Sequence, residues 1–88
     1  MKERELEIKN RLGFHARPAA LFAKEAAKYR SSITVCKDGM EINGKSVLGL
    51  LMMAAESGTR LKVRAEGPDE EQALSAIAQL FADKFQED

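Results

Sequence analysis

"RELEIKNRLGFHARPAALFAKEAAKY", residues 4–29, changes its hydrophobic period midway. In residues 4–9 Leu6 and Ile8 alternate with Glu5, Glu7 and Lys9, the pattern of a half-buried strand. From Ala16 to Tyr29 the apolar residues Ala19, Phe22, Ala23 and Ala26 recur at spacings of three and four, the stripe of an amphipathic helix. Gly13 lies between the two patterns and allows a sharp turn. Pro18 suits a first helical turn, where its missing amide hydrogen would have had no partner. A strand therefore feeds a helix through a glycine turn, and the only histidine of the chain, His15, falls at the join.

The same reading extends downstream. Ile33 and Val35 mark the inward side of a second strand, and Asp38-Gly39 signals a two-residue hairpin, because a type I′ turn needs positive φ at both positions. Met40 and Ile42 return on the face of Val35, and Gly44 ends that strand. Ser46 can cap a short helix running to about Ala55. Leu61, Val63 and Ala65 alternate with charged residues in a fourth strand. Asp69 then reads as the cap of a long final helix, with Gln72 completing a capping box and Glu70 and Glu71 complementing the positive helix end. Leu74, Ile77, Ala78, Phe81 and Phe85 make its inner stripe.

The order is βαββαβα. One-sided strands and helices predict an α+β fold, a two-layer open-faced sandwich with a four-stranded antiparallel sheet covered on one face by three helices. A chain of 88 residues, 44% hydrophobic, supports one domain spanning 1–88 around one core.

Composition narrows the function. Fourteen basic residues balance fourteen acidic ones, so no global charge attracts nucleic acid or an anionic membrane. The balance is uneven: residues 1–30 hold 8 basic and 4 acidic side chains, whereas residues 67–88 hold 1 basic and 6 acidic. No apolar run reaches the ~18 residues that cross a bilayer, and the charged start does not resemble a signal peptide, so a cytoplasmic location is expected. Cys36 is the single cysteine, which leaves no disulfide or Cys-x-x-Cys pair and reads as a small strand side chain. With one histidine and a distant cysteine, no metal site is expected. The aromatic residues Phe14, Phe22, Tyr29, Phe81 and Phe85 fall on helices or in a loop, not on strands where they could stack bases, which argues against an RNA-binding sheet.

His15 remains. A neutral imidazole is a nitrogen nucleophile at neutral pH. No acid can be placed behind the ring from sequence, so no catalytic triad is argued. A helix start, however, offers unpaired amides and about half a positive charge. Arg17 adds a guanidinium suited to phosphate oxygens. Read from residue types alone, a phosphohistidine and a merely structural cap histidine both stay open.

"GFHARPA", residues 13–19, resembles the active-site signature of the HPr family, the histidine-containing phosphocarriers of the phosphoenolpyruvate-dependent phosphotransferase system. "NGKSVLGLLMMAA", residues 43–55, resembles that family's segment around a regulatory serine, and "GTRLKVRAEGPDEEQAL" continues the likeness into the last helix. The resemblance implies that His15 accepts a phosphoryl group on Nδ1 from phosphorylated enzyme I and passes it to a IIA domain. Arg17 would stabilise the phosphate, Pro18 would set the helix start, and the amides of Ala16 and Arg17 would face the group. Ser46 corresponds to the serine that HPr kinase/phosphorylase modifies where that enzyme exists. Ala20, Leu21, Lys24 and Lys28, with Val47, Leu48 and Leu51, would form a docking patch with a basic rim and an apolar centre. The protein would be a carrier and a substrate of phosphotransferases, monomeric and without a cofactor. "QLFADKFQED" and "KSVLGLLM" also resemble the nitrogen-related paralogue NPr, and a regulatory HPr-like module that binds without transferring phosphate is a further alternative, disfavoured by the presence of His15.

Overall fold

Strands β1 (Lys2–Glu7), β2 (Ser32–Lys37), β3 (Met40–Asn43) and β4 (Arg60–Glu66) form one antiparallel sheet in the order β1-β4-β2-β3 in the computed structural model, which describes residues 1–87. Helices α1 (Ala16–Ala27), α2 (Val47–Met52) and α3 (Glu70–Ala82) complete the predicted order, followed by a 3₁₀ turn over Lys84–Gln86. No helix is long and apolar enough to cross a membrane.

Side-chain parity explains the layering. Val35 pairs with Val63 and Ile42, Ile33 with Ala65, and Leu6 with Leu61, so each pair points toward the helices. Ile33, Val35, Leu61, Val63 and Ala65 are buried there against Phe22, Ala26, Leu50, Ile77 and Phe81. The opposite face carries exposed pairs such as Arg60–Glu5 at 3.3 Å and Arg64–Glu3 at 3.2 Å, which contribute little to stability in water. Cys36 is half-buried on that face, a small strand residue with its sulfur 3.7 Å from the Arg64 guanidinium.

Several boundaries move. The first strand covers Lys2–Glu7 instead of 4–9, because Ile8 leaves the ladder to bond Thr59 and Gly58 in the adjoining loop. Helix α1 stops at Ala27, with Lys28 and Tyr29 closing it through turn bonds to Glu25 and Ala26. Helix α2 stops at Met52, and Ala54 turns left-handed (φ 50°) before Ala55 re-enters the core. Met40 shares the parity of Val35 but sits at the hairpin tip beyond the helices, where it is exposed. The hairpin itself is as expected, with φ of 49° at Asp38 and 82° at Gly39.

Two corrections concern α3. Asp69 stands at its start, yet its carboxylate does not cap the helix and Gln72 completes no box. The carboxylate instead accepts from the amides of Arg30 and Ser31, both at 2.9 Å, and from the Ser31 hydroxyl. Glu70 takes the nearby Gly67 amide at 3.1 Å. Asp69 thus latches the α1–β2 loop to the start of α3. The second correction is that the final helix does not run to Phe85. It ends at Ala82, and Lys84, Phe85 and Gln86 all turn left-handed, at φ of 54°, 53° and 62°. Phe85 is still fully buried, now through a curl instead of a helical stripe.

Bonds from the Ser31 hydroxyl and then the Arg30 amide hold the Asp69 carboxyl at about 2, below its ordinary value. A carboxyl whose folded value is depressed adds stability above its unfolded pKa, near 4, and loses it as pH falls toward about 2. Asp69→Asn should therefore lower the thermal midpoint at neutral pH. It should also flatten the stability decline between about pH 4 and 2, as followed by circular dichroism melts across that range.

Candidate functional site

His15 occupies the N-cap position of α1 with extended backbone (φ −90°, ψ −169°), and its carbonyl takes the first helical bond from the Ala19 amide at 3.0 Å. The amides of Ala16 and Arg17 precede that bond and stand at the open, positive end of the helix. Three constraints put the ring there. Gly13 takes a positive φ of 72°. Phe14 is buried and its amide bonds the Ala55 carbonyl at 2.9 Å. The His15 amide closes a tight turn onto the Gly13 carbonyl at 3.0 Å. With Phe14 pinned inward, its neighbour is directed out, and 36% of the His15 side chain remains accessible.

Phe14 anchors an aromatic cluster beneath the site. Its ring lies 5.8 Å from Phe22 and 5.6 Å from Phe85, edge to face, and 6.3 Å from Phe81. Phe85 packs on Phe81 at 4.9 Å. Such pairs contribute about 0.5–1.5 kcal/mol each beyond their burial. This aromatic floor joins the loop before α1 to the curl after α3.

The sequence reading placed no acid behind the imidazole; the structure corrects this. Both Glu87 carboxylate oxygens approach His15 Nε2, at 3.0 and 3.2 Å. An ionised carboxylate only accepts, so Nε2 carries the hydrogen. Nδ1 does not cap the helix and has no hydrogen-bond partner among the described residues. Asn10 supports the arrangement from below. Fully buried, it donates through Nδ2 to the Gly13 carbonyl at 2.7 Å and to Glu87 at 3.1 Å, while its Oδ1 has no partner among the described residues. Arg11, Leu12 and Arg17 line an open groove with Gln86 and Glu87 beside the ring.

The expected residues divide into three groups. His15, Ala16, Arg17 and Pro18 come together at the helix start, with Pro18 buried and the Arg17 side chain exposed. Lys24 and Lys28 are exposed on α1, Lys28 paired with Glu25 at 3.1 Å; Ala20 is exposed and Leu21 half-buried. On α2, Val47, Leu48 and Leu51 are exposed along with Met52, while Leu50 and Met53 fill the core. Ser46 caps α2 as expected, its hydroxyl accepting from the Gly49 amide at 3.0 Å. Asn10 and Glu87 were missed. The one available signal was the concentration of acids at the end of the chain opposite an early basic segment.

A Cβ added at Gly13 would meet the Ala55 carbonyl oxygen at 2.7 Å and Glu56 Cα at 3.0 Å. Gly13→Ala should lose at least about 1–2 kcal/mol from left-handed backbone alone. It should also shift the His15 ring resonances, measured by denaturant melts and proton NMR; unchanged values for both would remove Gly13 from the site's construction.

Comparison with known proteins adds to this geometry. Residues 2–83 match a family model described as the PTS HPr component phosphorylation site. The phosphocarrier protein HPr of Treponema pallidum is 44% identical over 88 residues, covering all of both chains. The HPr-like protein Crh of Halalkalibacterium halodurans is 43% identical over 77 residues, 88% of this chain and 92% of its own. The crystal structure of HPr-C-His from Thermoanaerobacter tengcongensis superposes with a TM-score of 0.96 at 46% identity, covering 100% of this chain and 99% of that one.

Proposed function

Because the chain belongs to the HPr family of phosphotransferase-system phosphocarriers, we propose that His15 Nδ1 accepts a phosphoryl group from phosphorylated enzyme I and delivers it to a IIA domain. The observation that supports this most is the state of the ring: half-exposed at a helix N-terminus, with Nε2 engaged and Nδ1 without a partner among the described residues. A phosphoryl group on Nδ1 meets the amides of Ala16 and Arg17 and the Arg17 guanidinium, each favouring its negative charge. These groups are open to solvent, so the phosphate is held without being caged. Loose retention is what a carrier needs, since the group must leave again. The catalytic work of transfer then belongs to the partner proteins, and the chain acts in the cytoplasm as one carrier domain spanning 1–88.

The docking surface follows from the same helices. Lys24 and Lys28 form a basic rim, and Ala20, Leu21, Val47, Leu48 and Leu51 an apolar centre, suited to an acidic partner. Ser46 lies beside that centre. A phosphate on its hydroxyl adds nearly two negative charges at the start of α2, where it would weaken docking more than folding. The alternative, an HPr-like regulatory module, binds partners without a phosphohistidine.

Incubation with phosphoenolpyruvate and a cognate enzyme I, followed by mass spectrometry, should show an acid-labile gain of one phosphate in the wild type and none in His15→Ala. A stable adduct, or one that persists in His15→Ala, would overturn the assignment. Ser46→Asp, and charge reversal at Lys24 together with Lys28, should each slow phosphoryl acceptance, the lysine pair most at low salt. Wild-type rates in either variant would remove that part of the docking surface.

A further inference from the structure

Glu87 belongs to no part of the carrier chemistry described so far, yet its carboxylate bonds both the buried Asn10 and the His15 ring. Three consecutive residues without a glycine, Lys84, Phe85 and Gln86, adopt left-handed backbone to bring it there. Such conformations are unfavourable for side-chain-bearing residues and persist only where the surroundings over-determine them. Here burial of Phe85 holds one end of the curl, and the bonds of Glu87 hold the other. Asn10, fully buried, directs its side-chain amide to both Glu87 and the Gly13 carbonyl, tying the carboxylate to the turn that carries His15.

We propose that Glu87 is a positioning residue for His15: the relay from Asn10 through the Glu87 carboxylate to Nε2 fixes the ring's tautomer and offsets the charge that forms on it during transfer. The inference rests on His15 being the phosphoryl acceptor. In the neutral ring, hydrogen on Nε2 leaves the Nδ1 lone pair available. That pair forms the N–P bond while the donor's own bond to phosphorus breaks and its electron pair returns to the donor. Nε2 keeps its proton throughout, so the phosphorylated ring gains a positive charge, and this charge lies 3.0 Å from the Glu87 carboxylate. Passing the phosphoryl on reverses each change. The carboxylate thus sets how readily the ring takes the group and how long it holds it. Arg11 and Arg17, lining the same groove, keep the carboxylate in a cationic setting, and the bond to Nε2 aims it at the ring instead.

The test uses Glu87→Gln, which keeps an acceptor but loses the charge, and Glu87→Ala, which loses both. Nitrogen NMR of the unphosphorylated full chain should show His15 with its hydrogen on Nε2 in the wild type and in Glu87→Gln, and a tautomer mixture in Glu87→Ala. The rate of phosphoryl acceptance from enzyme I should fall about tenfold in Glu87→Gln, the low end of the loss seen when a partner behind a metal-bound histidine is removed. Phosphohistidine should also hydrolyse at a changed rate in both variants. A purely structural role would lower the melting temperature without moving the tautomer. A wild-type tautomer in Glu87→Ala, together with wild-type transfer rates in both variants, overturns the proposal and leaves the carrier reading intact. A wild type that accepts no phosphoryl overturns both.

Discussion

Phe14 and Phe85 come from opposite ends of the chain, and their rings meet edge to face with centroids 5.6 Å apart, above Phe22 and Phe81. Each stands next to a functional position: Phe14 immediately before His15, Phe85 two residues before Glu87. Burying the two rings in one cluster therefore brings the imidazole and the carboxylate within hydrogen-bond reach, although 72 residues separate them. The hydrophobic effect here does positional work. Burial of each large aromatic side chain stabilises by about 1.5–3 kcal/mol, so the two rings together offset much of the backbone strain of the left-handed curl.

On that floor the site balances two requirements of a carrier. The helix N-terminus and Arg17 attract a negative group, and solvent exposure keeps the attraction modest. A closed cage of charged donors would hold phosphate more strongly and release it more slowly. The sheet contributes by standing away from the site. Its ladder fixes the loops at one end of the molecule, while its outer face carries exposed ion pairs whose loss would cost little.

Much of this was legible in the sequence because the periods are clean. Alternation at Leu61, Val63 and Ala65 and the three-four spacing at Ala19, Phe22, Ala23 and Ala26 predict the buried faces that the structure contains. Asp38-Gly39 and Ser46 obey turn and cap chemistry that depends only on neighbours. The failures share the opposite property. Asp69 has the residue type of a helix cap, but stronger donors at Arg30 and Ser31, 39 and 38 residues away, take its carboxylate. The helical stripe correctly marks Phe85 as buried and wrongly extends the helix to it, since no glycine or proline announces the curl. Glu87 looks like a solvated charge in an acidic tail until tertiary packing sets it beside the only imidazole. Asn10, a polar residue before a turn, gives no local hint of being fully buried.

What decides between a structural histidine and a carrier is whether the ring takes a phosphoryl group, and what tests the site's geometry is which nitrogen takes it. Phosphorus and nitrogen NMR of the protein after treatment with phosphoenolpyruvate and enzyme I reads this directly. The geometry predicts the phosphoryl group on His15 Nδ1, with the proton retained on Nε2. A phosphoryl group on Nε2, or on any residue other than His15, would contradict it.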